Sequence, residues 1–113
     1  MNERIIMELV QPYSNHNAGA LAFGPDGMLY LTLGDDGVPC DAQVPASGRG
    51  SVLRMDVGGL SAGGGLVAPA YSLLNPGSNP LSSSAGFSQL VIAYGLRQPF
   101  RMAIDSLTGN LYV

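Results

Sequence analysis

The chain has 113 residues, of which 46% are hydrophobic and only 12% charged, so it can build one small core and is not disordered by excess charge. Its formal net charge is −3 and it has no lysine or arginine cluster, which argues against nucleic-acid binding because phosphate contacts need a basic face. No apolar run approaches the roughly 20 residues of a membrane-spanning helix, and a single cysteine, Cys40, excludes an internal disulfide.

Short strands separated by turns are predicted along the whole chain. Sixteen glycines and eight prolines favour an all-β fold, and no segment has a helical period. The apolar patterns predict strands, in chain order, at 4–10, 20–23, 28–33, 51–57, 67–74, 89–94, 99–104 and 110–113. Turns are predicted at Gly24 to Gly27 and at Asp105 to Gly109, because proline, aspartate and glycine favour turn backbone angles.

One strand–turn–strand pattern occurs twice in the sequence. Residues 21–31 match residues 102–113 in order and chemistry, with Tyr30 and Tyr112 in equivalent places. This pattern predicts the inner hairpin of a β-propeller blade, used twice. Since residue 113 falls in mid-strand, we expect a fragment that covers about two blades of a larger ring.

The domain prediction follows from this repeat. Residues 1–113 form a single partial β-propeller segment, and the glycine-rich stretch at 58–66 is an insertion within it. The N-terminus lacks the basic start and long apolar core of a signal peptide, so the chain as written is expected to be cytoplasmic. That expectation fails if the chain is part of a longer protein.

Two residues are candidates for chemistry because they lie in loops beside the two hairpins. His16 is the only histidine, and an imidazole with a pKa near ~6.5 is suited to general base catalysis. Considered alone, a loop histidine is more often a surface residue. The Arg97 side chain has an equally simple structural alternative to a role in chemistry: it would form a salt bridge or contact a backbone carbonyl within a blade.

The acidic residues do not predict a metal site within this chain. An EF-hand needs acidic residues at alternate positions, a central glycine and a terminal glutamate, and the spacing here does not fit. We interpret these aspartates as turn-forming residues: Asp26, Asp35, Asp36 and Asp41.

Four segments carry a resemblance to a known family. Residues 8–37 include Ser-Asn-His-Asn-Ala-Gly, residues 51–56 read Ser-Val-Leu-Arg-Met-Asp, residues 71–80 end in Ser-Asn-Pro, and residues 93–105 begin Ala-Tyr-Gly-Leu-Arg-Gln-Pro-Phe-Arg. Together they resemble the glucose/sorbosone dehydrogenase family, which are six-bladed β-propeller quinoproteins that use pyrroloquinoline quinone and calcium. Three residues depart from the family pattern: Ser51 replaces lysine, Ser78 replaces aspartate and Gln98 replaces asparagine.

The resemblance implies a sugar (aldose) dehydrogenase that oxidises a sugar hydroxyl, with the quinone as hydride acceptor. It implies that His16 is the catalytic base, that Asn15 binds substrate and orients the ring, and that Arg97 and Gln98 bind the cofactor. Arg101 is assigned to structure. The calcium ligands are expected outside this chain, in later blades.

Two alternatives remain open: a non-catalytic propeller that binds a protein partner, and an inactive truncated fragment of such an enzyme. The expected partner is a small sugar, and open strand edges favour self-association of the isolated chain. Because the site needs loops from several blades, the isolated chain is expected to be inactive. The resembled family is usually periplasmic or secreted, which leaves the compartment open.

Overall fold

The fold, in a computed structural model that describes residues 3–113, is built mainly from antiparallel strands. The first four strands form one sheet in the order β1-β2-β3-β4, and two further strands form a separate hairpin. The strands are β1 (Ala18–Phe23), β2 (Leu29–Leu33), β3 (Ser51–Met55), β4 (Val91–Tyr94), β5 (Ala103–Ile104) and β6 (Leu111–Tyr112). One helical turn, α1 (Tyr71–Leu74), and three 3₁₀ segments, Asp41–Gln43, Pro45–Ser47 and Gly86–Leu90, complete the elements of this region. The predicted all-β class is confirmed.

A four-stranded antiparallel meander is the unit of a β-propeller blade, and β5 and β6 repeat its first hairpin. Ala22 pairs with Tyr30 in the first hairpin, and Ala103 pairs with Tyr112 in the second. These equivalent pairings confirm the internal repeat. Within residues 3–113, no helix is long and apolar enough to cross a membrane.

Both predicted turns close their hairpins by backbone hydrogen bonds. Gly27 N–H donates to the carbonyl of Gly24 (3.0 Å), and Gly109 N–H donates to that of Asp105 (2.8 Å). Gly27 has φ 78° and Gly109 has φ 74°, a left-handed conformation that glycine adopts without steric cost.

The hydrophobic core packs around β3, the most deeply buried strand. Its fully buried centre includes Leu53, Met55, Leu74 and Leu90. Side chains of the N-terminal segment pack against this core, among them Ile6 and Met7. The core therefore anchors β2 and β3, whose ends carry the loops of the candidate site.

The strand predicted at 4–10 is wrong. Arg4 forms one isolated parallel bridge with Gly65, and residues 5–10 join no strand. A strand needs a partner along its length, and only this single bridge is formed. The Arg4 guanidinium instead donates to the carbonyls of Ser61 (3.0 Å) and Gly64 (2.6 Å). It thereby fastens the glycine-rich segment, whose status as an insertion stays a prediction.

The strand predicted at 67–74 is also wrong, because this segment ends in helix α1. One helical turn places Leu74 in the core, fully buried, while Leu73 remains 65% exposed. The ring of Tyr71 packs on that of Phe87, with centroids 4.6 Å apart. Tertiary packing therefore outweighs the weak strand preference of these residues.

Five other predicted strands are shorter than expected. The strand at 28–33 begins at Leu29, and the strand at 51–57 ends at Met55. The strand at 89–94 begins at Val91, because Gly86–Leu90 form a 3₁₀ segment. The strand at 99–104 is reduced to Ala103–Ile104, after a turn in which Phe100 N–H donates to the carbonyl of Gln98 (2.7 Å). The last strand, predicted at 110–113, comprises Leu111–Tyr112.

A polar cluster joins the β1–β2 turn to strand β3. Arg54 Nε donates to Asp26 Oδ2 (2.9 Å), and its Nη1 donates to Ser78 Oγ (2.9 Å) and Asn79 Oδ1 (3.1 Å). The buried amide of Asn79 in turn donates to the carbonyls of Arg54 and Gln89, both at 3.0 Å. Ser78, which departs from the family pattern, therefore still accepts a hydrogen bond from Arg54.

We expect Asp26 to make folding stability depend on acid pH. Partial burial raises the pKa of Asp26, but hydrogen bonds from Tyr30, the Met28 N–H and Arg54 outweigh burial and lower it below 3.8. A lowered folded-state pKa contributes stability that is present above the unfolded pKa and is lost as pH falls through the folded pKa. Because the carboxylate is 33% exposed, solvent screening limits this contribution to about 1 kcal/mol.

Urea unfolding at neutral pH and below pH 3.8 measures this contribution in wild type and in Asp26→Asn. The variant should lose stability at neutral pH and show a smaller loss on acidification. An equal acid-induced loss in both proteins would contradict the assignment.

Candidate functional site

His16 lies in the loop before β1, and its ring is held by a buried carboxylate. Nδ1 of His16 is 2.8 Å from Oδ1 of Asp35, whose side chain is 2% exposed, whereas that of His16 is 24% exposed. Asp35 Oδ1 also accepts the N–H of Gly37 at 2.9 Å. An ionised carboxylate only accepts, so Nδ1 carries the proton and Nε2 is left with a free lone pair. The ring is therefore arranged to accept a proton at Nε2.

Hairpin geometry explains why these two residues meet. Ala18 pairs with Leu33, so His16 and Asp35 each lie two residues beyond the same pair, at one rim of the sheet. The register shifts between Ala18 and Leu21, a bulge of the kind that redirects a chain next to a functional site. The hairpin thus delivers the imidazole and its carboxylate from opposite strands.

The His16 loop approaches β2 so closely that only glycine fits at Gly34. The Cβ of any larger residue there would lie 1.7 Å from the His16 carbonyl oxygen. The Asp36 N–H donates to this same oxygen at 3.2 Å. His16 and Asp36 both have positive φ, 54° and 56°. Strained non-glycine backbone of this kind is concentrated at functional sites.

Arg97 reaches the same rim from the end of β4. The Asp35 N–H donates to the Arg97 carbonyl at 2.8 Å, so the two backbones are in direct contact. The guanidinium is exposed and forms no ion pair among residues 3–113. Arg97, Asp35 and Gln43 line a shallow depression of about 300 Å³. The arginine is therefore available to an anionic ligand, and neither alternative interaction proposed for its side chain is formed within the described residues.

Gln98 and Asn15 lie beside the His16–Asp35 pair without bonding to the ring. The Gln98 Oε1 lies 2.7 Å from the Cβ position at Gly34, and the Asn15 Oδ1 lies 2.9 Å from that at Gly37. The side chain that orients the imidazole is Asp35 and not Asn15. The cofactor role of Gln98 and the substrate role of Asn15 remain predictions.

Asp35 is the site residue that sequence reasoning missed. Its interpretation as turn-forming is correct but incomplete, because the same oxygen that accepts the Gly37 N–H also binds His16. The sequence shows only that His16 precedes the first predicted hairpin and Asp35 follows it. The register that places both residues two positions beyond the Ala18–Leu33 pair comes from the structure.

The remaining candidates have structural surroundings. Arg101 lies over the ring of Phe100, 5.9 Å from the ring centroid, in agreement with its assignment to structure. Asp41 pairs with Arg49, and Cys40 is an exposed free thiol. Across the described residues, no group of three or more histidine, cysteine, aspartate or glutamate side chains could hold a metal ion.

Comparisons with known proteins agree on one family. Residues 2–113 match the sequence profile of the Glucose / Sorbosone dehydrogenase family. The chain is 37% identical to Hedgehog-interacting protein of Mus musculus, over 90% of this chain and 14% of that protein. It is 33% identical to HIPL1 protein of Arabidopsis thaliana, over 97% of this chain and 17% of that protein.

A solved structure shares this fold. It is a glucose dehydrogenase-type oxidoreductase from Thermus thermophilus, 31% identical with a TM-score of 0.67, and the match covers 93% of this chain and 27% of that one. The chain therefore spans a small part of each of these proteins.

Proposed function

The chain belongs to the glucose/sorbosone dehydrogenase family, and we propose that it supplies the base and a cofactor-binding arginine to a site that oxidises a sugar hydroxyl. The fold is part of a six-bladed β-propeller of the glucose dehydrogenase type. The observation that carries the proposal is the contact of 2.8 Å between His16 Nδ1 and the buried Asp35 carboxylate. A histidine held this way serves as a general base, whereas an isolated surface histidine has no such support.

The base step follows from the geometry of this pair. Oxidation of a secondary or hemiacetal hydroxyl removes a proton from oxygen and a hydride from carbon. His16 Nε2 takes the proton, while Asp35 holds the Nδ1 proton and stabilises the imidazolium that forms. Because Asp35 is buried, its charge acts on the ring with little screening by water.

Pyrroloquinoline quinone fits the residues present, since it is an anionic ortho-quinone and Arg97 is an exposed cation at the rim of the site. Arg97 would bind a carboxylate or quinone oxygen by charge-assisted hydrogen bonds, and the amide of the adjacent Gln98 would add a further one. When bound, the quinone supplies the hydride acceptor. The ligands of the calcium ion that the resemblance implies are expected outside this chain, in the later blades.

A protein-binding propeller is the second candidate function. Its support is the identity of 37% with Hedgehog-interacting protein, compared with 31% for the Thermus oxidoreductase. Such a module would keep the fold without turning over a sugar. The inactive truncated fragment is the remaining alternative: without the loops of the other blades, the site would be incomplete.

Sugar-dependent dye reduction tests the proposal in a complete propeller that carries residues 1–113, supplied with the quinone and calcium. We expect saturable turnover with an aldose, and none from the isolated chain, because its site lacks the loops of other blades. A complete propeller that is folded yet inert with a panel of aldoses would favour the protein-binding module.

Self-association of the isolated chain is a related proposal. Strand β1 lies at an edge of the sheet and exposes Leu21 (63%) and Phe23 (65%). Unpaired edge strands with exposed apolar side chains favour association between chains. Sedimentation of the isolated chain over a concentration series would detect it.

Substitution of Arg97 should weaken quinone binding. Loss of a charge-assisted hydrogen bond costs about 1.5–3 kcal/mol, which corresponds to roughly 10- to 100-fold in Kd. Arg97→Met is compared with Arg101→Met, a nearby arginine whose guanidinium lies over Phe100. Titration of the quinone into both variants measures the difference, and equal affinities would contradict the role of Arg97.

A further inference from the structure

Arg49 connects two points of the β2–β3 loop, Asp36 and Asp41, to Val10 in the N-terminal segment. Its Nη1 donates to Asp41 Oδ2, and its Nη2 donates to the carbonyl of Val10 at 3.0 Å. Its Nε faces Asp36 Oδ2 at 3.7 Å. The Arg49 side chain is 20% exposed and that of Asp36 is fully buried.

Asp36 contacts the His16 loop twice, once through its backbone and once through its carboxylate. The Asp36 N–H donates to the His16 carbonyl at 3.2 Å, and Asp36 Oδ1 accepts a hydrogen bond from the side-chain Nδ2 of Asn17 at 3.0 Å. The His16 ring meets Asp35 from this loop. A movement of Asp36 would therefore move the imidazole.

Arg49 supplies the positive charge that faces the buried Asp36 carboxylate. Asp36 Oδ2 and Arg49 Nε are buried polar atoms without a hydrogen-bond partner among the described residues. A buried carboxylate oxygen without a hydrogen bond is costly unless an opposite charge lies nearby. Asp36 also holds a strained backbone, with φ 56°. Without Arg49, the buried carboxylate oxygen would have no opposite charge beside it and would turn towards solvent, and the strained turn would relax.

We propose that Arg49 is a positioning residue for His16: it holds the Asp36 carboxylate in place, and Asp36 fixes the loop that sets the His16 Nδ1–Asp35 contact. The expected effect on turnover rests on the proposed function, whereas the expected effect on the ring does not. Arg49 touches neither the ring nor the depression beside Arg97.

The test uses Arg49→Met in the complete propeller, with Arg54→Met as a matched control. Arg54 also pairs with an aspartate, Asp26, but lies in the polar cluster of β3, away from His16. Labelling with ¹⁵N-histidine reports the tautomer of each neutral ring, and the His16 signal is identified by its loss in His16→Asn. We expect a single Nδ1–H tautomer in wild type and in Arg54→Met, and a mixture of tautomers in Arg49→Met.

Turnover should fall about 100-fold in Arg49→Met with quinone affinity unchanged, as expected for a reacting group displaced by about 1 Å. If Arg49→Met does not fold, Arg49→Met combined with Asp36→Asn removes the uncompensated charge and should recover folding. A folded Arg49→Met in which His16 keeps a single tautomer would overturn the proposal. So would Arg54→Met showing the same mixture of His16 tautomers as Arg49→Met. A double variant that folds no better than Arg49→Met alone would also overturn it. If wild type shows no turnover, the proposed function fails while the tautomers still test the positioning role.

Discussion

Replacing His16 by asparagine should lower sugar-dependent dye reduction in the complete propeller by roughly 10²- to 10⁴-fold, the usual contribution of a general base. The variant removes the lone pair at Nε2 and leaves Asp35 without its ring partner. Asparagine is the appropriate replacement because His16 has φ 54°, a left-handed conformation that asparagine tolerates better than alanine does. The measurement therefore reports the loss of the imidazole and not of the loop.

Quinone titration into His16→Asn provides the control. Arg97 and Gln98 are unchanged, so we expect affinity for the quinone to be retained. Near-normal turnover in this variant would show that another group removes the proton. Loss of quinone binding together with turnover would show instead that the loop had collapsed.

Gly34→Ala should disrupt both the fold and the site. The new Cβ would lie 1.7 Å from the His16 carbonyl oxygen and 2.7 Å from Gln98 Oε1, so the two loops must move apart. Overpacking of this kind costs about 1–3 kcal/mol. A displacement of about 1 Å at the reacting group costs about 100-fold in rate. Turnover should therefore fall by more than the decrease in the folded fraction of the protein would explain.

Gly59→Ala is the matched control, because its Cβ would meet no atom within 4 Å and Gly59 has no positive φ. Urea unfolding and dye reduction of the two variants separate the clash from the general effect of the substitution. If Gly34→Ala matched Gly59→Ala in both measurements, the close approach of the His16 loop to β2 would be wrong.

The two hairpins were predictable because the residues that specify each turn and its flanking strands are close together in the sequence. Aspartate and glycine occur in both turns, with proline in the first, and the repeat places Tyr30 and Tyr112 on equivalent return strands. The contribution of the N-terminal segment was not predictable in this way. Its alternating pattern is that of a strand, yet strand formation requires a partner, and Arg4 pairs only with Gly65.

The candidate site was predictable only in part. The motif pointed to His16 and Arg97, which do converge on one rim. Asp35 was missed because its second contact depends on the pairing of β1 with β2 and not on the residues around it. Segment 67–74 failed for a similar reason, since the burial of Leu74 is a tertiary effect.

Chemical rescue of His16→Gly tests most directly whether this imidazole is the base. Glycine fits the left-handed backbone at this position and leaves space for a free imidazole molecule beside Asp35. In the complete propeller, we expect the variant to bind quinone but to reduce dye slowly, and added imidazole to restore sugar-dependent turnover in a saturable manner. Turnover that is normal without imidazole, or that imidazole does not raise while quinone and sugar still bind, would contradict the account.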